Sequence, residues 1–107
     1  DKATESGVFG QGQYGKTAID ASGSYSIGNY NHISGNNTFV MGNNVTTALE
    51  NAVILGNDST DGDVVGTSSY TFKNGTTVNY AGTTPVSTVS VGAKDKERTI
   101  TNVAEVA

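Results

Sequence analysis

Cysteine is absent from this chain, which excludes disulfide staples and thiolate metal sites. Histidine occurs once, at His32, so neither a zinc site built on paired imidazoles nor a recognisable Ser/His/Asp triad is available. No apolar run reaches the roughly 18 residues that a bilayer-crossing helix needs. Basic residues are few: 6 Lys and Arg face 10 Asp and Glu, for a net charge of −4. That balance argues against nucleic acid, whose phosphates require a Lys/Arg surface. Asp1 opens no secretory-leader pattern, and the sequence remains compatible with a piece of a secreted protein. Large apolar side chains are scarce as well. Leu, Ile, Val, Met and Phe make up 23 of the 107 residues, close to the level at which chains stay disordered. One copy so composed would struggle to offset its conformational entropy. Disorder is one outcome; several chains pooling their apolar stripes is the other.

What is present decides between them. Ile27-Gly28, Met41-Gly42 and Leu55-Gly56 place an apolar-Gly pair every 14 residues. Phe9-Gly10 precedes Gly28 by 18, one period plus four residues. A disordered chain has no reason to keep such a register, whereas units that cannot bury their own faces must stack. The units run over 24–37, 38–51 and from 52 onward, and 6–10 begins an earlier, imperfect one. Ser24-Tyr25-Ser26-Ile27-Gly28 alternates small and apolar residues, and Ile33-Ser34-Gly35 echoes it half a unit later. Two short strands per turn with Asn/Gly corners is a β-solenoid. In this reading Ile27, Met41 and Leu55 stack in one inward column, with Val40, Val53 and Ile54 closing neighbouring layers.

The period stops after Asp58, and a hairpin follows. A two-residue Asn74-Gly75 turn would put Tyr70 and Val78 on opposite faces. A three-residue Lys73-Asn74-Gly75 loop, with Gly75 in the left-handed region, pairs Phe72 with Thr76 and Tyr70 with Val78. Tyr70, Phe72, Val78 and Tyr80 then share one face, so the three-residue loop is expected. Pro85 marks the return. Val89-Ser90-Val91-Gly92 reads as another strand ending in apolar-Gly, and 94–98 as a charged turn. Ile100, Val103 and Ala107 step by 3 and 4, the seam of a coiled coil. Asn102 and Glu105 match a capping box that would open that helix.

Several motifs invite chemistry. Residues 10–17 match the P-loop pattern in full, with Lys16 for phosphate and Thr17 for magnesium. Ala52-Val53-Ile54-Leu55-Gly56-Asn57-Asp58 even resembles an apolar strand ending in a magnesium ligand. The strand before the motif is too short, however, and 16–28 is too rich in helix breakers. The nested Gly10-Gln11-Gly12-Gln13-Tyr14-Gly15 dinucleotide fingerprint fails for the same reason. Asp58, Asp61 and Asp63 hint at calcium, but Ser69 stands where a calcium loop needs its twelfth-position Glu; a solvated acidic turn is the better reading. His32 reads as a polar surface residue. Asn36, Asn44, Asn57 and Asn74 each begin an N-glycosylation triplet, as chance allows in a chain so rich in Asn and Thr. The four large residues of the hairpin form the best candidate for a special surface, since aromatics lead at interface hot spots. Packing against the solenoid or a neighbouring chain is the alternative for them.

Two stretches carry a resemblance. Residues 24–59 resemble the fourteen-residue repeat of YadA-like heads. Val89-Ser90-Val91-Gly92-Ala93, Glu97-Arg98 and Ile100-Thr101-Asn102-Val103-Ala104 resemble the neck that follows such heads. The chain is therefore similar to the trimeric autotransporter adhesins. That likeness implies an all-β fold, a left-handed parallel β-roll from each of three chains. It implies a head over 1–60, an inserted hairpin over 61–88, and a neck and stalk start over 89–107. Glu105-Val106 replaces the usual Ala-Gly end of the neck motif. The implied function is adhesion without catalysis and without a cofactor or metal. The partners would be two further copies of the chain and a host surface receptor or extracellular-matrix protein, with no nucleic acid and no membrane contact from this segment. The implied location is the bacterial surface, anchored in the outer membrane through a C-terminal barrel outside these residues. Ile27, Met41, Leu55, Val91, Ile100 and Val103 would form the trimer core, and Tyr70, Phe72, Val78 and Tyr80 the ligand face. Alternatives are a spacer with no ligand of its own and, remotely, a P-loop nucleotide binder.

Overall fold

The computed structural model describes residues 3–12 and 17–106. Each fourteen-residue unit folds into one coil, and its corners explain the abundance of Asn. Gly23, Tyr30, Asn37, Asn44, Asn51 and Asp58 recur every seven residues with φ between 56° and 70°. Gly, Asn and Asp tolerate that left-handed region best. Between corners the chain is extended. The strands are β1 (Gly7–Phe9), β2 (Tyr25–Ile27), β3 (His32–Ile33), β4 (Phe39–Met41), β5 (Thr46–Thr47), β6 (Val53–Leu55), β7 (Ser69–Thr71), β8 (Thr77–Asn79) and β9 (Val89–Ser90). β1, β2, β4, β6 and β9 form one parallel sheet in that order, and β3 and β5 form a second. The result is a parallel β-solenoid, and the chain as a whole, hairpin and tail included, extends over 57 × 25 × 25 Å.

Register follows the period. Tyr25 pairs with Phe39 and Phe39 with Val53, each 14 residues on. β1 joins at an offset of 18, Gly7 to Tyr25, yet Ile19 pairs with Ile33 at 14. The four extra residues are therefore absorbed between Gly12 and Ile19, and the repeat resumes beyond them. Successive coils approach closely at the glycines. A Cβ on Gly28, whose φ is 132°, would stand 1.6 Å from the Gly42 carbonyl oxygen, so no side chain fits there.

The interior corrects one sequence expectation. Ile27, Met41 and Leu55 do form a column, but it points out of the roll, at 49%, 56% and 36% exposure. Their neighbours Ser26, Val40 and Ile54 point inward and are buried. Adjacent strand residues face opposite sides, and the narrow coil takes Ser26 and Val40 rather than the larger Ile27 and Met41; Ile54, equal in size to Leu55, follows the same column inward. Val53, too, lies on the outer side, in register with Phe39.

Half the interior is polar, and it is paired. Ser24 and Thr38 occupy equivalent positions in successive coils and are fully buried. Ser24 Oγ donates to Gly35 O at 2.7 Å and accepts from Thr38 N at 3.1 Å. Thr38 Oγ1 donates to Leu49 O at 2.7 Å and accepts from Ala52 N at 3.2 Å. Buried Asn31 donates to Ser26 Oγ and Gly42 O and accepts from Val45 N. Each such bond contributes on the order of 1 kcal/mol net, while leaving one unmade costs about 1–3 kcal/mol. The roll thus replaces much of the missing apolar core with a ladder of hydroxyls and amides.

Two segments leave the roll. The hairpin has the expected register: Tyr70 pairs with Val78, Phe72 N donates to Thr76 O, and Gly75 has φ 89°. After it the chain returns to the sheet, with Val53 pairing to Val89 at an offset of 36. The helix expected from Asn102 onward is not formed. No helix occurs among the described residues, and Asn102 has φ 61°, unlike the extended backbone of an N-cap. Less than a heptad cannot offset helix nucleation by itself. Ala107, the last residue of the expected seam, lies outside the described residues.

Candidate functional site

The outer face of the five-stranded sheet is a contiguous apolar surface. Its two rows follow from the parallel register. One row is Tyr25, Phe39, Val53 and Val89; the other is Phe9, Ile27, Met41 and Leu55. The Tyr25 and Phe39 rings stack at 5.5 Å and 16°. Between the rows runs an apolar groove of about 220 Å³ floored by Val40. Fully covering a side chain of this size contributes about 1.5–3 kcal/mol. Several together rival the roughly 5–15 kcal/mol that holds an ordinary domain folded. Contiguous apolar faces of this kind mark interaction surfaces.

A second apolar surface lies on the hairpin. Tyr70, Phe72, Val78 and Tyr80 come together on one side as expected, each about half exposed. The Tyr70 and Phe72 rings meet edge to face at 5.0 Å. Thr71 and Thr77 hydroxyls pair at 2.9 Å across the opposite side. An isolated two-stranded hairpin is marginal in water, so this face gains from being covered.

The remaining trimer-core candidates are less uniform. Val91 is half-buried beside the return strand. Ile100 and Val103 are 67% and 70% exposed in an extended tail.

Polar groups close one end of the roll. The Arg98 guanidinium lies against Gly56, where a Cβ would sit 2.7 Å from Cζ. It donates to Asn57 O at 3.0 Å, Ser59 Oγ at 3.1 Å and Val91 O at 3.2 Å. Asp58 accepts from Asn44 Nδ2 at 2.8 Å and lies 3.6 Å from Lys96 Nζ. The Asn44 hydrogen bond, followed by the Lys96 charge, holds the Asp58 carboxyl below its usual range. Sequence reasoning missed this clamp. Its one sequence signal was Gly56, which leaves room for the guanidinium.

The other sequence motifs turn out to serve the roll. Within the P-loop match, Gly10 packs on Gly28 and Gly12 bridges to Asn31. Among the described residues that follow, 17–24 form bends and bridges rather than the helix a phosphate loop feeds. Gln13, Tyr14, Gly15 and Lys16 lie outside the described residues. The acidic loop is split: Asp58 belongs to the clamp, and Asp61 accepts from Thr47 Oγ1 at 2.8 Å. His32 is half-buried, with Nδ1 2.6 Å from Thr17 O. A carbonyl can only accept, so Nδ1 carries the proton.

No protein-family model and no curated protein matches the chain. Among solved structures, the C-terminal YadA-like domain of a Burkholderia pseudomallei protein is similar, with 37% identity and a TM-score of 0.52. The match covers 89% of this chain and 35% of that one, so the chain spans about a third of that structure's length. The fourteen-residue period, the parallel coils and that identity converge, and the chain belongs to the YadA-like trimeric autotransporter adhesins.

Proposed function

We propose that this chain is the head-and-neck segment of a homotrimeric bacterial surface adhesin. Residues 1–60 form the head, 61–88 a hairpin insert, and 89–107 the neck. Three copies meet through the outer face of the five-stranded sheet. The observation that carries this reading is the double apolar row on that face: Ile27, Met41 and Leu55 lie beside the stacked Tyr25 and Phe39, all substantially exposed in one copy. Val91, Ile100 and Val103 join the same interface further along. The segment binds rather than catalyses. Its ligand is a host receptor or matrix protein, seated on Tyr70, Phe72, Val78 and Tyr80 of the insert. Many copies on a bacterial surface raise avidity without a deep pocket in any one of them. The likeness to a YadA-like domain supports a cell-surface location, with a membrane anchor outside these residues.

Sedimentation equilibrium tests the assembly: a mass of three chains is expected, and a compact folded monomer at micromolar concentration overturns it. Binding to immobilised host matrix proteins tests the ligand face. Tyr70→Ala with Phe72→Ala is expected to abolish capture while the trimer mass persists. Undiminished capture moves the site elsewhere. The 57 Å length favours a second reading, a spacer that holds another domain away from the cell. Absence of capture by the intact trimer selects it.

A further inference from the structure

Four Asn-X-Ser/Thr triplets occur in the chain, at Asn36, Asn44, Asn57 and Asn74. N-linked transfer needs two things at once: an amide nitrogen free to attack, and a hydroxyl two residues on that the transferase can reach. The fold treats the four very differently. At Asn36 the hydroxyl belongs to Thr38, which is fully buried and bonded to Leu49 O and Ala52 N. The Asn36 carboxamide itself is held across coils by Ser22 N at 2.9 Å. At Asn44 the amide nitrogen donates to Asp58 at 2.8 Å, within the end clamp. At Asn57 both requirements fail. Its amide donates to Asp58 at 3.0 Å, and Ser59 is buried, donating to Leu55 O at 2.6 Å.

Asn74 alone meets both. It sits at the exposed tip of the hairpin, in the Lys73-Asn74-Gly75 loop. Its Oδ1 accepts from Thr76 N at 2.9 Å, which fixes the carboxamide toward the triplet's own third residue. Its Nδ2 has no partner among the described residues, and neither has the exposed Thr76 hydroxyl. Around Gly75 there is open space, with nothing within 4 Å of where a Cβ would stand. The exposed tip thus leaves room beside Asn74 for an added group. The same group at the three roll positions would have to break the coil ladder first.

We infer that Asn74 is an N-glycosylation site of this protein, with a sugar activated as a glycosyl phosphate ester as the donor. In the transfer, Asn74 Nδ2 bonds to the anomeric carbon and the bond from that carbon to the phosphate oxygen breaks. The phosphate leaves with its electron pair, and the amide gives up one proton to a base of the transferase. Nothing is oxidised or reduced. The inference does not depend on what the hairpin binds.

Site-resolved peptide mass spectrometry on the full protein recovered from the producing bacterium tests it. A sugar adduct is expected on the peptide carrying Asn74, with Asn36, Asn44 and Asn57 bare. Thr76→Ser keeps the adduct, whereas Thr76→Val and Asn74→Gln remove it. A single-hexose ladder identifies a nucleotide sugar as the source, and one preassembled oligosaccharide identifies a lipid-borne donor. A bare Asn74 in the native protein overturns the inference, as does an adduct shared equally with the roll positions. The fold's role is read separately, with a soluble N-glycosyltransferase and UDP-glucose on the purified chain. Folded protein takes sugar at Asn74 only, and urea-unfolded protein takes it at all four. Equal labelling of all four in the folded chain overturns the structural selection.

Discussion

The two faces of the five-stranded sheet are built from neighbouring residues and obey opposite rules. Inward go Ser26, Val40 and Ile54; outward go Ile27, Met41 and Leu55, one position later in each coil. The inner face is half polar, and its buried hydroxyls and amides are paired; Ser87 Oγ, just before the return strand, is the one buried side-chain oxygen or nitrogen without a partner among the described residues. The outer face is large, apolar and uncovered in a single copy. An ordinary domain reverses this, with its bulk inside. A narrow coil has no room for Phe or Tyr at its axis. It therefore holds itself together with hydrogen bonds and carries its large side chains on the outer face. The lesson is that thin apolar content need not mean a weak fold, provided each buried polar group has its partner.

Substitutions separate the two faces. The largest loss is expected from Gly28→Val, because the new side chain would overlap the Gly42 carbonyl; circular dichroism should show no folded roll. Ile54→Ala opens a cavity in the inner face and should cost about 2–5 kcal/mol. In a single-chain background such as Phe39→Asp, the outward change Leu55→Ala, one residue along, should leave the thermal midpoint almost unmoved. If the two midpoints fall equally, the inside-outside assignment is wrong. Thr38→Val keeps shape but strands Leu49 O and Ala52 N, at a cost of about 1–3 kcal/mol by chemical denaturation.

Phe39→Asp should leave the circular dichroism of the roll intact and reduce the sedimenting mass to one chain, since a charge in the interface would be buried unpaired. A trimer that survives it would place the interface elsewhere. The smallest effect is expected from acid. The Asp58 carboxyl has a lowered pKa in the folded chain, so the stability it contributes is present above the ordinary value of 3.8 and lost as pH falls through its folded value. Asp58→Asn should remove that acid-dependent part of the midpoint and leave the rest of the pH profile unchanged.

The sequence was most legible where a local rule has one solution. The Gly75 position and the alternation of Tyr70 and Phe72 with Val78 and Tyr80 set the hairpin register, because only the three-residue loop puts all four on one face. The apolar-Gly period set the pairing of β2, β4 and β6, because a solenoid must stack residue on equivalent residue. The first coil was legible as well, since Phe9-Gly10 stands one period plus four residues before Ile27-Gly28 and β1 pairs with β2 at that offset. The seam at Ile100 and Val103 was read from spacing alone; in a single copy both residues are exposed and no helix forms around them among the described residues.

By itself the sequence determined the repeat, the β class and the hairpin loop, all of which follow from local patterns of residue type. Only the tertiary structure decided which member of each adjacent pair enters the roll, that Arg98 closes its end over Gly56, and which of the four Asn-X-Ser/Thr triplets stays accessible. A strand's alternation fixes two faces without naming the inner one. That choice belongs to the width of the coil, set by residues far apart in the chain.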